Sequence, residues 1–232
     1  MLVIPHGFDP ELFNIKTESQ RQSIRDERRL SCFLFVNVSG LSDNKGIDLL
    51  LSAFARVLKK HPNSKLCIKG SDAVYRSKEQ MGLYLERLGE HDRKAVIEKL
   101  VYVGNQVSNA EMANLYNCAD AYVCPYRCEG FNIPALEAAA CGLPVIFTKG
   151  GPTDEFLNPS YHLPISSAER ITDNGSHYLD PDLDDLTLQM ISAIENKIAH
   201  RERAKLFAPE LVKSHSWDKI SEKLFLEIKN RC

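Results

Sequence analysis

Long hydrophobic runs are missing from this chain of 232 residues. No apolar stretch reaches the roughly 18–20 residues that a bilayer-spanning helix needs, and the opening residues do not read as a secretory leader. An excess of one charge is missing too. The formal net charge is −2, so no global field draws the chain to nucleic acid or acidic membranes. There is no G-x-G-x-x-G and no Walker A sequence, which argues against a dinucleotide dehydrogenase and a P-loop phosphotransferase. Metal-ligand spacing is also lacking: Cys124 and Cys128 are close, but no second cysteine or histidine pair completes a zinc site. The seven cysteines are odd in number, and Cys67 and Cys124 lie inside apolar stretches. They read as reduced, buried thiols of a cytoplasmic protein. No internal repeat, low-complexity tract or interior linker breaks the chain.

What is present is ordinary for a globular protein, with 44% hydrophobic and 26% charged residues. The length suits one large α/β domain with a sizeable core. Continuous apolar runs at 32–39, 65–70, 101–105, 121–126 and 143–147 predict strands. Between the first two, Ile47, Leu50, Leu51, Phe54, Val57 and Leu58 recur at helical spacing. Further helices are expected from about Lys78 to Leu100 with a break near Gly89, over 109–119, over 182–204 as one or two segments, and over 216–232 as a closing helix. The polar stretch 16–29 reads as an exposed loop, and the segment from Lys149 to about Pro181 as irregular. Strands alternating with helices predict a Rossmann-like, doubly wound parallel sheet, which binds ligands beyond the carboxyl ends of its strands.

Nine residues there, EGFNIPALE from Glu129 to Glu137, carry most of the functional information. They join the fourth apolar run to a helix that opens with Pro134 and stops at Gly142. Gly130, Phe131, Asn132 and Ile133 therefore sit at a helix N-terminus, where free N–H groups and the positive dipole end favour phosphate. Glu129 stands at the mouth of that turn, and Glu137 one turn inside the helix on the side of the opening. Carboxylates do not attract phosphate but accept hydrogen bonds from hydroxyls. A ligand bearing phosphates and sugar hydroxyls fits the pairing, and a nucleotide-sugar is one such ligand. A plain strand–loop–helix unit with surface glutamates fits the same residues.

Lys45 begins the helix after the first strand, in the same crevice. A cation there is disfavoured by a few tenths of a kcal/mol up to about 1 kcal/mol, which a cap from Asp43 or Asn44 would offset. A solvated surface lysine is the plain alternative. Gln106 and Val107 follow the third strand, where a base would find a flat apolar contact and amide groups. An ordinary turn with Asn109 as helix cap accounts for them equally well. His6 reads as a hinge histidine rather than a catalytic group, and the acidic turn Asp154–Glu155 as solvent-facing.

The run from Glu129 to Ile146 resembles the signature of the retaining glycosyltransferases of family 4, approximately E-G-F-G-x-x-x-x-E-A-M-A-C-G-x-P-V-I. Glu129, Gly130, Phe131, Glu137, Cys141, Gly142 and Pro144 match. Asn132 stands where the family has glycine, and Ala139 where methionine is common. The resemblance covers nearly the whole chain, including IPHGFDPELF near the start and HSWDKISEKLFLEI near the end. It implies the C-terminal, nucleotide-sugar-binding half of a GT-B fold, residues 1–232 forming a single donor-binding domain. The N-terminal acceptor-binding domain is then expected to be absent, Met1 to be an artificial start, and any peripheral membrane association to run through that missing domain.

In the family, G-R-L-x-x-x-K-G supplies an arginine and a lysine to the donor diphosphate. Lys45 and Gly46 match, Gly40 replaces the arginine, and Lys69 or Arg127 are candidates for the missing cation. The implied activity is transfer of a sugar from a UDP- or GDP-linked donor to a glycan or other acceptor, with retention and without metal or other cofactor. The implied roles are Lys45 and the 130–133 backbone on the diphosphate, Glu137 on the ribose and Gln106 with Val107 on the base. Glu129 is implied to hold the sugar and stabilise its oxocarbenium-like centre. The alternatives are another GT-B nucleotide-sugar enzyme, such as a phosphorylase or epimerase, and a non-catalytic nucleotide-binding module.

Overall fold

A computed structural model describes residues 3–230. The reading of Met1, and the last two residues of the expected closing helix, lie outside that span. The chain runs α1 (Glu18–Glu27), β1 (Leu34–Val38), α2 (Ile47–Lys60), β2 (Lys65–Lys69), α3 (Asp72–Tyr75), α4 (Ser77–Glu86), α5 (Glu90–Lys99), β3 (Leu100–Val103) and α6 (Asn109–Cys118). It continues with β4 (Ala121–Cys124), α7 (Ile133–Ala140), β5 (Val145–Thr148), β6 (Leu163–Ile165), β7 (Ser167–Ile171), β8 (His177–Pro181), α8 (Leu183–Glu195), α9 (Lys197–His215) and α10 (Trp217–Lys229). β1 to β6 form one parallel sheet in the order β3-β2-β1-β4-β5-β6. This is the doubly wound arrangement the apolar runs predicted, and the strand order reverses between β1 and β4.

Because both sheet faces are covered, the central strands are buried almost throughout. Their side chains alternate between two cores. Val36, Cys67, Tyr122, Val145 and Phe147 pack with α6 and α7. Phe35, Leu66, Ile68, Val123 and Ile146 pack with α2 and α8. All six apolar positions expected on one face of α2 are buried.

Four local expectations are overturned. Residues 16–29 are not a loop: α1 is capped by Thr17, whose hydroxyl accepts from the Gln20 N–H while Gln20 accepts from the Thr17 N–H at 3.0 Å. Its buried face carries Arg21 and Arg25 rather than apolar side chains, so it shows no hydrophobic period. The segment from Lys149 to Pro181 holds the edge strand β6 and the antiparallel hairpin β7–β8. α6 is capped by Ser108 with Glu111, not by Asn109. Neither Asp43 nor Asn44 caps α2, which starts after a 3-10 turn (Asp43–Lys45) and a left-handed Gly46.

Those arginines of α1 meet at Asp120, just before β4. Its carboxylate is fully buried and accepts from Arg21 at 2.6 Å, Arg25 at 3.1 Å, Lys197 at 3.0 Å and the Leu34 N–H at 2.8 Å. Arg201 adds a bond to the neighbouring Ala119 carbonyl at 3.1 Å. Burial, the largest single influence, would raise the Asp120 pKa, but Arg25, Lys197, the Leu34 N–H and Arg21 together hold the carboxyl below its ordinary range. Asp120→Asn leaves this cluster without its counter-ion and is expected to cost about 3–5 kcal/mol at neutral pH. A depressed carboxyl contributes stability above its unfolded pKa and loses it as pH falls through the folded one. The deficit should therefore shrink in acid. Urea denaturation at pH 7 and pH 3.5 checks this, and a loss below about 1 kcal/mol at pH 7 would refute the role.

Candidate functional site

A cleft of about 590 Å³ opens where the strand order reverses, at the carboxyl ends of β1, β2 and β4. The loop after β1 lends Ser39, Gly40 and Lys45, and the loop after β4 lends Glu129, Phe131 and Asn132. The two loops lock together: the Arg127 N–H donates to the Asn44 carbonyl at 2.7 Å. This close approach needs Gly46, which has φ of 64° and whose Cβ would run into the Pro125 carbonyl oxygen.

Lys45 and Glu129, 84 residues apart, form an ion pair across this junction at 2.6 Å. The second Glu129 oxygen accepts from the Gly130 N–H at 2.9 Å, so that group is turned onto the carboxylate. Asn132 caps α7 with φ of 76° and accepts from the Ala135 N–H at 3.4 Å. The left-handed backbone explains why asparagine can stand where the resembled signature has glycine, since asparagine tolerates this region better than most residues. Phe131 meets His6 edge-on, with ring centroids 5.3 Å apart, and His6 lines the same cleft.

The structure thus brings Lys45, Glu129, Phe131, Asn132 and Ile133 together around one cavity. Glu137, Gln106 and Val107 lie outside its lining. Glu137, within α7, is partly buried and accepts from the Tyr116 hydroxyl of α6 at 3.0 Å. Arg127, the other candidate for the second cation, is not in the lining. It is held bidentately by Asp48, at 2.8 and 2.7 Å, and bonds the Asp43 carbonyl at 2.9 Å. Lys69 does line the cleft. Tyr75, which no sequence pattern singled out, lies across Gly40: its ring atoms come within 3.0–3.2 Å of where a Cβ would stand. Gly40 does not have a positive φ, so the obstacle to a side chain there is Tyr75 itself. Among the described residues, no group of three or more His, Cys, Asp or Glu is placed to hold a metal ion.

Burial raises the Glu137 pKa from 4.5 to about 7, with the Tyr116 hydrogen bond opposing. A raised carboxyl stabilises the fold fully below its unfolded pKa and loses that contribution as pH rises through the folded one. Glu137→Gln keeps the acceptor and removes the charge. The variant is therefore expected to outlast the wild type in urea, by a margin that grows between about pH 4.5 and 7 and levels off at about 3 kcal/mol. A margin independent of pH would show that this carboxyl ionises as freely as in the unfolded chain.

The fold recurs in solved structures. Sucrose-phosphate synthase from Thermosynechococcus elongatus superposes with a TM-score of 0.79 at 22% identity, covering 99% of this chain and 52% of that one. Anabaena HepE, solved in complex with UDP and glucose, gives 0.78 at 18% identity, covering 98% and 56%. By sequence, the chain is 24% identical to the mannosylfructose-phosphate synthase of Agrobacterium fabrum over 231 residues, which is 99% of this chain and 47% of that protein. The chain thus spans about half the length of these relatives. The description "glycosyl transferases group 1" matches residues 16–210, most of the chain, including β1 to β8 and the cleft residues other than His6, and the chain belongs to that family.

Proposed function

We propose that the chain is the C-terminal, nucleotide-sugar-binding half of a retaining, metal-independent glycosyltransferase of family 4. The observation that carries this reading is the Lys45–Glu129 pair, held at 2.6 Å beside the N-terminal end of α7 and facing a cleft at the switch point of the sheet. Departure of a nucleoside diphosphate leaves positive charge on the sugar and negative charge on the diphosphate. A carboxylate, an ammonium and a helix N-terminus answer those two charges without a metal ion. In this reading Lys45 and the backbone at Phe131, Asn132 and Ile133 take the diphosphate. Gly130 adds its N–H when donor binding draws Glu129 onto the sugar. Glu137 serves the ribose hydroxyls with the oxygen that Tyr116 leaves free, and Gln106 with Val107 serves the base. The donor is a UDP- or GDP-sugar, in keeping with the UDP-bound neighbour.

The acceptor-binding half would come from a second domain, since each relative named above is about twice as long. Phe225, Leu226 and Ile228 of α10 are 67%, 50% and 53% exposed and offer that domain an apolar seat. No described helix is long and apolar enough to cross a membrane. The six described cysteines are free, which fits a reducing cytoplasmic setting.

Calorimetric titration with UDP, GDP and their nucleosides tests the reading. The isolated chain is expected to bind a nucleoside diphosphate and to transfer no sugar to a glycan, because transfer needs both substrates held in one closed cleft. Lys45→Ala should weaken the diphosphate more than the nucleoside, with a loss that shrinks as salt rises, because a partly exposed charge is screened. Glu137→Ala should weaken the nucleotide by about 1–3 kcal/mol. Unchanged diphosphate affinity in both variants, with folding intact, would leave a non-catalytic module as the better reading.

A further inference from the structure

Two ammonium groups line the cleft, and only one has a carboxylate. Lys45 is neutralised by Glu129. Lys69, the last residue of β2, is 8% exposed, and among the described residues no carboxylate lies within ion-pairing distance of its Nζ. The Nζ donates to the Gly70 carbonyl instead. The carboxylate that influences it is Asp72, whose Oδ1 is occupied by the Tyr102 hydroxyl at 2.5 Å and the Lys78 N–H at 2.8 Å. An ammonium taken out of water without a counter-ion is costly to the fold. Such a group at the carboxyl end of a central strand, beside an open cavity, marks a place where an anion repays that cost.

A cation from the neighbouring loop has no access to this place. Tyr75, 59% exposed and also lining the cleft, covers Gly40. Arg127 is engaged with Asp48 on the flank of α2. The charge available to a ligand here therefore comes from Lys69, a compact point charge on a flexible stem that can leave the Gly70 carbonyl and turn to an incoming oxygen.

We infer that Lys69 is a second phosphate-binding residue, and that the diphosphate of the ligand is held between Lys69 and Lys45 with the Tyr75 ring as the wall beside it. This rests on the donor-binding reading for the identity of the ligand, but the anion site itself does not. On binding, Lys69 gains the counter-ion it lacks. Lys45 shares its charge between the phosphate and Glu129. The diphosphate then sits across the gap between β1 and β2 rather than over β1 alone.

The test uses the whole chain, with inorganic pyrophosphate, UDP, GDP and the two nucleosides as titrants. Lys69→Met is expected to weaken the preferred diphosphate and pyrophosphate about ten- to hundred-fold, as for loss of a charge-assisted hydrogen bond, and to leave the nucleoside within about two-fold. Gly40→Arg placed on Lys69→Met should recover little, and should recover binding when Tyr75→Ala is added, because only then is the place vacated. In the wild type, acetylation of Lys69 read by peptide mass should be slowed by saturating pyrophosphate, which tests the site even if Lys69→Met does not fold. Unprotected Lys69, wild-type diphosphate affinity in Lys69→Met, or an equal loss for nucleoside and diphosphate would each overturn the assignment. Normal nucleotide binding by Lys69→Met would do so while sparing the donor reading. Pyrophosphate binding that depends on Lys69 with no preference for any nucleotide would uphold Lys69 and remove that reading.

Discussion

Everything at the open end of this sheet depends on a buried charge at the other end. Asp120 draws Arg21 and Arg25 from α1, Lys197 from the first turn of α9, and the Leu34 N–H at the start of β1 onto one carboxylate. Segments far apart in the chain are fixed there in one arrangement, at the amino end of β4. The helices that flank the sheet are thereby anchored on the side away from the cleft. The carboxyl ends of the strands then need hold only loops.

The two ends treat charge in opposite ways. At the amino end, Arg21, Arg25 and Lys197 converge on one acid out of water. At the carboxyl end, the Lys45–Glu129 pair is partly exposed, with side chains 28% and 13% accessible, and Lys69 has no carboxylate partner among the described residues. Exposed pairs are weak and easily rearranged, whereas buried ones are costly to break. An open cleft suits the first kind, and a foundation suits the second. Burial also sets the two carboxyls of the EGFNIPALE run apart. Glu129 meets a lysine at the cleft, while Glu137 sits against a tyrosine in a drier place that pushes its proton affinity up.

Much of this was legible in the residues. Continuous apolar runs gave the five longer sheet strands, and the spacing of Ile47 to Leu58 gave α2 and its buried face. The order of Glu129, Gly130 and Pro134 placed a helix N-terminus beside an acidic residue at the strand ends. What escaped is equally physical. α1 hides its contact face because that face is arginine, serving Asp120, so only the Thr17–Gln20 capping pair marked it. β6 is three residues long and contains a proline, too short for any period to register. Ser108 and Glu111 outcompete Asn109 as a cap because together they satisfy two N–H groups where asparagine would satisfy one. Helical spacing set the height of Glu137 along α7 but not its neighbour, since Tyr116 arrives from α6. Tyr75 gave no signal at all, because an exposed aromatic in a four-residue helix acquires meaning only from the glycine beneath it.

The pairing of Lys45 with Glu129 also constrains how this cleft can change over generations. Replacing the lysine alone would leave a bare carboxylate facing the cleft. Replacing the glutamate alone would leave an uncompensated ammonium in the empty cleft and free the Gly130 N–H that the carboxylate now occupies. Each single step leads through a form in which the vacant site is unbalanced, whichever order is taken. The two positions are therefore expected to be inherited as a unit and to be lost together, so that a descendant lacking one would carry the mark of having abandoned the other.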